Sequence, residues 1–405
     1  MSINRNNVYL VVGMLVAGTA NTIITKYQDR VCVANCDDPD PSKHEHFEQP
    51  LWQTLNMFLG ESLCLLLAGI CALLAAFFGR AKWAELVLDE EEHEPHSATE
   101  SDGLIAPVTT AHSTSAAIKP RLQGPLVFLL WVPTLCDMTA TTLMNVGLVY
   151  TTASVYQMLR GALVIITGLL SVIFLKRKLL AYEWFALITI TVGIATVGLA
   201  SILHTSKSVR ADPTDEDAAQ AFKAMFGIFL VLFAQLFTAA QFVIEEKFLS
   251  GYQIAPLRAV GYEGIFGTIS VLIAMPIFHY TIGIHNPKSS FNLHNGWDQI
   301  SSHSTIWIPA IIIMFSISSF NFFGISVTKT ICATSRSTID SCRTLFIWMI
   351  SLYLGWETFL PLQVVGFIML VYGTFVFNGV VEPPFCRPPK AINEGENEPL
   401  LGNNA

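Results

Sequence analysis

Ten apolar runs, each close to the length that crosses a bilayer, alternate with short polar stretches at about 8–25, 52–79, 125–149, 153–175, 182–203, 224–245, 259–282, 306–328, 333–354 and 361–380. A hydrocarbon core ~30 Å thick takes ~20 helical residues. The pattern therefore predicts an all-α integral membrane protein with ten transmembrane helices. The first run, Val8 to Ala17 after Arg5, has the look of a signal peptide, but apolar character continues through Ile23 and Ile24, so an uncleaved first helix is expected. Polar residues inside the runs are not scattered. Asp137, Thr141 and Asn145 stand at i, i+4 and i+8, Gln157, Arg160 and Gly161 share a face of the next helix, and Arg336, Asp340 and Arg343 stand at i, i+4 and i+7. One polar stripe per helix predicts a wet interior shared by several helices.

Shifting the fourth and fifth runs by 180 residues brings Ala153 onto Ala333, Ser154 onto Thr334, Ser171 onto Ser351 and Gly193 onto Gly373. This echo predicts two five-helix repeats, 1–203 and 224–380. An odd number of helices per repeat forces opposite insertion, and in such inverted repeats the substrate site lies where the halves meet, near mid-bilayer. An even total puts both termini on one side. With cytosolic termini, thirteen Lys and Arg residues face the cytosol against seven in the opposite loops, and the compact Lys176-Arg177-Lys178 cluster weighs most because its loop is short. Outside the helices, Glu85 to Arg121 is acidic and then rich in Ser, Thr and Ala, and reads as a disordered cytoplasmic linker. His204 to Lys223 reads as a lumenal loop, and 381–405 as a Pro-rich cytoplasmic tail. In the tail, Glu396 precedes the pair Leu400 and Leu401 by four residues, the pattern of an acidic dileucine signal read by sorting adaptors for endosomes and lysosomes.

Composition agrees with a polytopic protein: 52% of the 405 residues are hydrophobic and 13% charged, against roughly 25% charged in soluble domains. The net charge of −8 comes from acidic residues crowded into Asp37 to Glu48 and Glu85 to Asp102, and no basic patch for nucleic acid is present. Cys64, Cys71, Cys136, Cys332 and Cys342 sit in apolar runs as small core residues. Cys32 and Cys36 fall in a polar loop and could pair in an oxidising lumen. His44-Glu45-His46 has too few neighbouring ligands for a metal, and no nucleophile, phosphate-loop or metalloprotease signature occurs, which argues against an enzyme and against a cofactor.

An ionisable side chain left against lipid costs about 3 kcal/mol or more, so those inside spans are candidate functional groups. Arg160 and Arg343 are candidate contacts for an anionic substrate group, with Gln157, Asp340, Asn145 and Asn321 beside them. Asp137, Glu61 and Glu263 are candidate proton or cation sites. The alternative for each is an internal ion pair that only locks helices together. Arg336, near a cytoplasmic helix end, is expected to snorkel, and Glu245-Glu246-Lys247 reads as a solvated helix terminus. Gly261, Gly264 and Gly267, and Gly366 with Gly373, mark faces for close helix approach.

The stretch CDMTATTLMNVGLVYTTASVYQMLRGA resembles the nucleotide-sugar-transporter-like branch of the drug/metabolite transporter superfamily, and specifically the F subfamily of solute carrier family 35. The resemblance continues through Phe58-Leu59-Gly60-Glu61, Glu245-Glu246-Lys247-Phe248, Pro256 to Gly261, Phe320-Asn321-Phe322, Gly324 to Lys329 and Leu354-Gly355-Trp356-Glu357. It implies a ten-helix inverted-repeat fold with cytosolic termini, and, by analogy with family 35 members that exchange nucleotide sugars for nucleoside monophosphate, a transport function. The linker at 85–121 looks long for the family. The expected function is a secondary carrier of a small polar or anionic metabolite, working by alternating access in a lysosomal or late endosomal membrane. Golgi and mitochondrial membranes are the alternative locations. Nucleotide-sugar/nucleotide antiport and a non-transporting membrane scaffold or receptor are the competing functions. The expected partners are a small-molecule substrate, the lipid bilayer and sorting adaptors at the tail, and a homodimer is compatible with this reading.

Overall fold

The computed structural model describes residues 5–37, 44–47, 49–78, 120–122, 124–150, 156, 159–206, 215–284, 291–356 and 359–381. Gln157, the sorting residues Glu396, Leu400 and Leu401, and all but the last residues of the linker at 85–121 lie outside them.

Helix α1 (Arg5–Asp29) leads into a short antiparallel pair, β1 (Cys32–Ala34) and β2 (Glu45–His46), with Cys32 opposite His46. Cys32 is disulfide-bonded to Cys36, as their placement in a polar loop allowed. Next come α2 (Pro50–Phe78), a 3-10 segment at Gly124–Leu130 that runs into α3 (Trp131–Tyr150), α4 (Ala162–Phe174) and α5 (Ala181–Ser206). The remainder is α6 (Asp215–Gly251), α7 (Pro256–Phe278) closed by a π turn, α8 (Leu293–Ser302), α9 (Ser304–Thr330), α10 (Ala333–Tyr353) and α11 (Pro361–Phe377). Each predicted span overlaps a helix among the described residues, and six of the described helices are long and apolar enough to cross a membrane by length and composition.

One sequence expectation is corrected. Most of the predicted loop at 204–223 is helical, because α5 runs to Ser206 and α6 starts at Asp215. Helix α8 was not foreseen, being short and polar; Asn292 caps it by accepting from the backbone N–H groups of His294 and Asn295.

The burial pattern is that of a membrane protein turned inside out relative to a soluble one. Glu61, Glu263, Gln235, Gln363, Arg336 and Arg343 are buried, whereas Leu73, Phe229, Ile273, Phe315 and Ile368 face outward. This is a multi-pass membrane protein. Its helices pack chiefly as α5 with α11, α3 with α6, α2 with α7 and α1 with α9; α4 lies mainly against α6 and touches α10 less extensively. The predicted glycine faces are used. A Cβ on Gly261 would stand 2.6 Å from the Leu65 backbone nitrogen on α2, and one on Gly193 would stand 2.7 Å from the Gly366 carbonyl on α11, so these pairs approach at backbone distance.

Candidate functional site

Two clusters of charge and one cavity occupy the interior. In the first cluster, Arg336 of α10 is fully buried and pairs with the buried Glu245 of α6, with the Phe242 ring 4.0 Å beneath its guanidinium. A Cβ on Gly324 would come within 2.8 Å of Arg336 Nε, so α9 makes room for the guanidinium by having glycine there. Both sequence expectations here fail. Arg336 does not snorkel and Glu245 is not a solvated terminus, because each meets the other one helix away and pairing replaces the water both would lose.

Around this pair lie three further carboxylates. Glu61 of α2 accepts a hydrogen bond from Asn321 Nδ2 of α9, joining two residues assigned to different roles in the sequence. Asp137 of α3 is half-buried and Glu263 of α7 is buried. Glu61, Asp137 and Glu263 are within electrostatic reach of Glu245 and share Arg336 as the guanidinium. Oε1 of Glu245 and Oε1 of Glu263 accept no hydrogen bond among the described residues. The structure thus gathers the three predicted proton or cation candidates into one layer and adds Glu245. A signal for it was present: Thr238, Gln241 and Glu245 stand at i, i+3 and i+7 on α6.

The second cluster is Arg160, Asp340 and Arg343. Arg343 Nε lies 3.1 Å from Asp340 Oδ1, an ionic contact without hydrogen-bond geometry, and Arg160 Nη2 lies 3.9 Å from Asp340 Oδ2. Nη1 of Arg343 also donates to the Gly18 carbonyl of α1 at 3.3 Å, and its guanidinium lies over the Phe320 ring at 4.8 Å. Two guanidinium groups share one carboxylate. Arg160 is the more accessible, with 25% of its side chain exposed. The 180-residue echo puts Arg160 in register with Asp340, its ionic partner.

The cavity, about 310 Å³, is bounded by α1, α2, α3, α8 and α9 and includes Asn145 and Thr141 of the predicted polar stripe. Its other polar lining was missed: Asn21, Thr25 and Gln28 at i, i+4 and i+7 on α1, and Gln53, Thr54 and Asn56 on α2. The same stripe criterion would have found them; neutral amides near helix ends drew less notice than charges. Asn56 precedes Glu61 by five residues on α2, ~7.5 Å at 1.5 Å per residue, and Thr141 follows Asp137 by one turn on α3, so cavity and carboxylate layer adjoin along two helices. Arg160, Asp340, Arg343 and Asn321 are not in its lining.

Residues 125–278 match the family model described as nucleotide-sugar transporter. Solute carrier family 35 member F6 of Pongo abelii is 35% identical over 100% of this chain and 98% of its own length, and the protein of that name from Homo sapiens is 35% identical over 99% and 97%. The chain belongs to solute carrier family 35, in its F branch. An uncharacterised protein of Schizosaccharomyces pombe is 32% identical over 92% of this chain and 98% of its own. One solved crystal structure superposes on this family 35 chain with a TM-score of 0.55 over 93% of it and 98% of the other, at 8% identity, a likeness of fold alone. As a family 35 member the protein is a membrane transporter and not an enzyme.

Proposed function

We propose that the chain is a secondary carrier that moves a small polar solute by alternating access between two inverted five-helix halves, 1–203 and 224–380. The observation that carries this is the adjacency of the cavity to the buried carboxylate layer. Solute and coupling ion would meet there at the junction of α2, α3 and α9.

The packing supports the inverted repeat. Numbering the ten predicted spans in order and adding five exchanges the halves. Under that exchange the pairs α2–α7, α4–α10 and α5–α11 map onto themselves, and α1–α9 maps onto α3–α6. The contacts α1–α10 and α2–α9 likewise map onto α4–α6 and α3–α7, which are also present. A two-fold pseudo-axis produces this invariance, and an odd number of spans per half would lay that axis in the membrane plane. Glu61, Asp137 and Glu263 are assigned to exchange of a coupling proton or cation. Four carboxylates facing one guanidinium leave anionic groups without countercharge, which is what a proton or cation relieves.

Cytosolic termini are supported by the Cys32–Cys36 disulfide, which lies between the first two spans, on the side opposite the termini, and needs an oxidising compartment. With the dileucine signal this points to a lysosomal or late endosomal membrane, proton coupling drawing on the acidity of that lumen. Nucleotide-sugar exchange is the second reading, favoured by the family model over 125–278. Proteoliposomes given a metabolite mixture and an imposed pH gradient separate the two. Gradient-driven uptake is expected; exchange of nucleotide sugar for nucleotide without dependence on the gradient would replace the first reading by the second, and no flux of any solute would overturn both.

A further inference from the structure

Resting on the carrier reading, we propose that the cavity binds an uncharged, polyhydroxylated solute of about monosaccharide size. No charged side chain lines it among the described residues. An anion placed there would lose water without gaining a countercharge, the two phosphates of a nucleotide sugar being the worst case, and an ammonium ion would meet no carboxylate in the lining itself. The guanidinium groups that could receive an anion, Arg343 and Arg160, lie elsewhere and are already turned to Asp340.

The hydrogen-bonding inventory narrows the class. Gln28 Nε2 donates to the Ile306 carbonyl at 2.9 Å, Gln53 Nε2 to Asp29 Oδ1 at 2.6 Å, and Asn56 Nδ2 to the Ala310 carbonyl at 2.9 Å. Each amide is thereby fixed by its nitrogen and keeps a carbonyl oxygen and one N–H for a ligand. The Thr54 hydroxyl donates to the Pro50 carbonyl at 2.8 Å and keeps only lone pairs. Asn21 accepts from the Ser316 hydroxyl at 3.1 Å and keeps both its N–H groups, and Asn145 keeps its whole amide among the described residues, so the lining offers donors and acceptors side by side. Hydroxyl groups, which donate and accept, answer both kinds of group; carboxylates and phosphates, which only accept, leave the carbonyl and hydroxyl oxygens of the lining unmet. Phe47 and Trp52 supply an aromatic wall against which the C–H face of a sugar ring or cyclitol buries. The volume of about 310 Å³ lies at the small end of the ~300–1,000 Å³ range of small-molecule sites.

The test uses the full-length protein in detergent and measures its melting temperature with D-glucose, myo-inositol, UDP-glucose, glutamate and putrescine as probes. At least one neutral polyol is expected to raise the melting temperature, and the three charged probes to leave it unchanged. Asn56→Leu should weaken that binding about tenfold, the share of one hydrogen bond. Because Asn56 also ties α2 to α9, Asn145→Leu is the second variant: Asn145 lines the cavity and makes no protein hydrogen bond among the described residues. Stabilisation by a charged probe that either variant abolishes overturns the proposal, and so does the absence of any shift with both neutral probes. Neutral binding by protein that carries nothing in proteoliposomes would instead overturn the carrier reading and leave this site standing. Gradient-driven flux of a charged solute, indifferent to both variants, would do the reverse.

Discussion

Arg336 and Glu245 are 91 positions apart in the chain and shut off from solvent together. Removing one partner of such a pair strands the other, at about 3–5 kcal/mol, whereas replacing both by apolar or neutral groups is often close to harmless. Arg336→Met and Glu245→Gln should each sharply reduce the yield and melting temperature of detergent-purified protein, and the double variant should recover most of the loss. If the double variant is no more stable than the singles, the pair is not a unit. Arg343 and Arg160 divide differently. Arg343 is buried against the Gly18 carbonyl and the Phe320 ring, while Arg160 keeps partial access. Arg343→Gln is expected to lower the melting temperature, Arg160→Gln to leave it nearly unchanged while altering transport. Equal destabilisation by the two would mean that Asp340 depends on both. At this scale the sequence marked Asp137, Glu61, Glu263, Arg160 and Arg343 as groups lipid would not tolerate, since isolated charges in apolar runs stand out. It misjudged Glu245 and Arg336, whose partners lie on other helices.

Helix α2 contains two glycines whose fates differ by what lies opposite. Gly60 abuts the Met314 carbonyl of α9, where a Cβ would come within 2.5 Å, while a Cβ on Gly69 would meet nothing within 4 Å. On α7, Gly261 faces the Leu65 backbone. Gly261→Val should abolish the α2–α7 contact and with it most folded protein, whereas Gly69→Ala should be neutral or stabilise by up to ~1 kcal/mol, since an open glycine in a helix interior carries only the entropic penalty. Size-exclusion profiles of tagged protein in mild detergent distinguish them; a monodisperse Gly261→Val variant would contradict the close packing. Helix positions were legible because a bilayer imposes one length and one periodicity. The extension of α6 to Asp215 and the extra helix α8 were not, because outside the membrane length and hydropathy no longer constrain the chain; for α8 the Asn292 cap decides.

At the scale of the molecule, the orientation proposed from the Lys and Arg count and the disulfide makes a prediction independent of any substrate. In sealed vesicles with the cytosolic face outward, tags at both termini should be digested by added protease, and Cys32 and Cys36 should react with maleimide only after reduction and permeabilisation. Protection of either terminus would reverse or break the proposed topology. Hydrophobic periodicity and the polar stripes are local signals, and the 180-residue echo compares the chain with itself, so a single sequence displays all three in full. By itself the sequence therefore determined that the protein is helical, membrane-embedded, polar inside and a member of its family. Only the tertiary structure decided that Glu245 neutralises Arg336, that Arg160 and Arg343 share Asp340, and that amides from α1 and α2 line a cavity without charge. The reason is physical: hydropathy depends on what surrounds a residue on its own helix, whereas countercharges and cavity walls depend on which helix lies beside it, set by packing between segments up to several hundred residues apart.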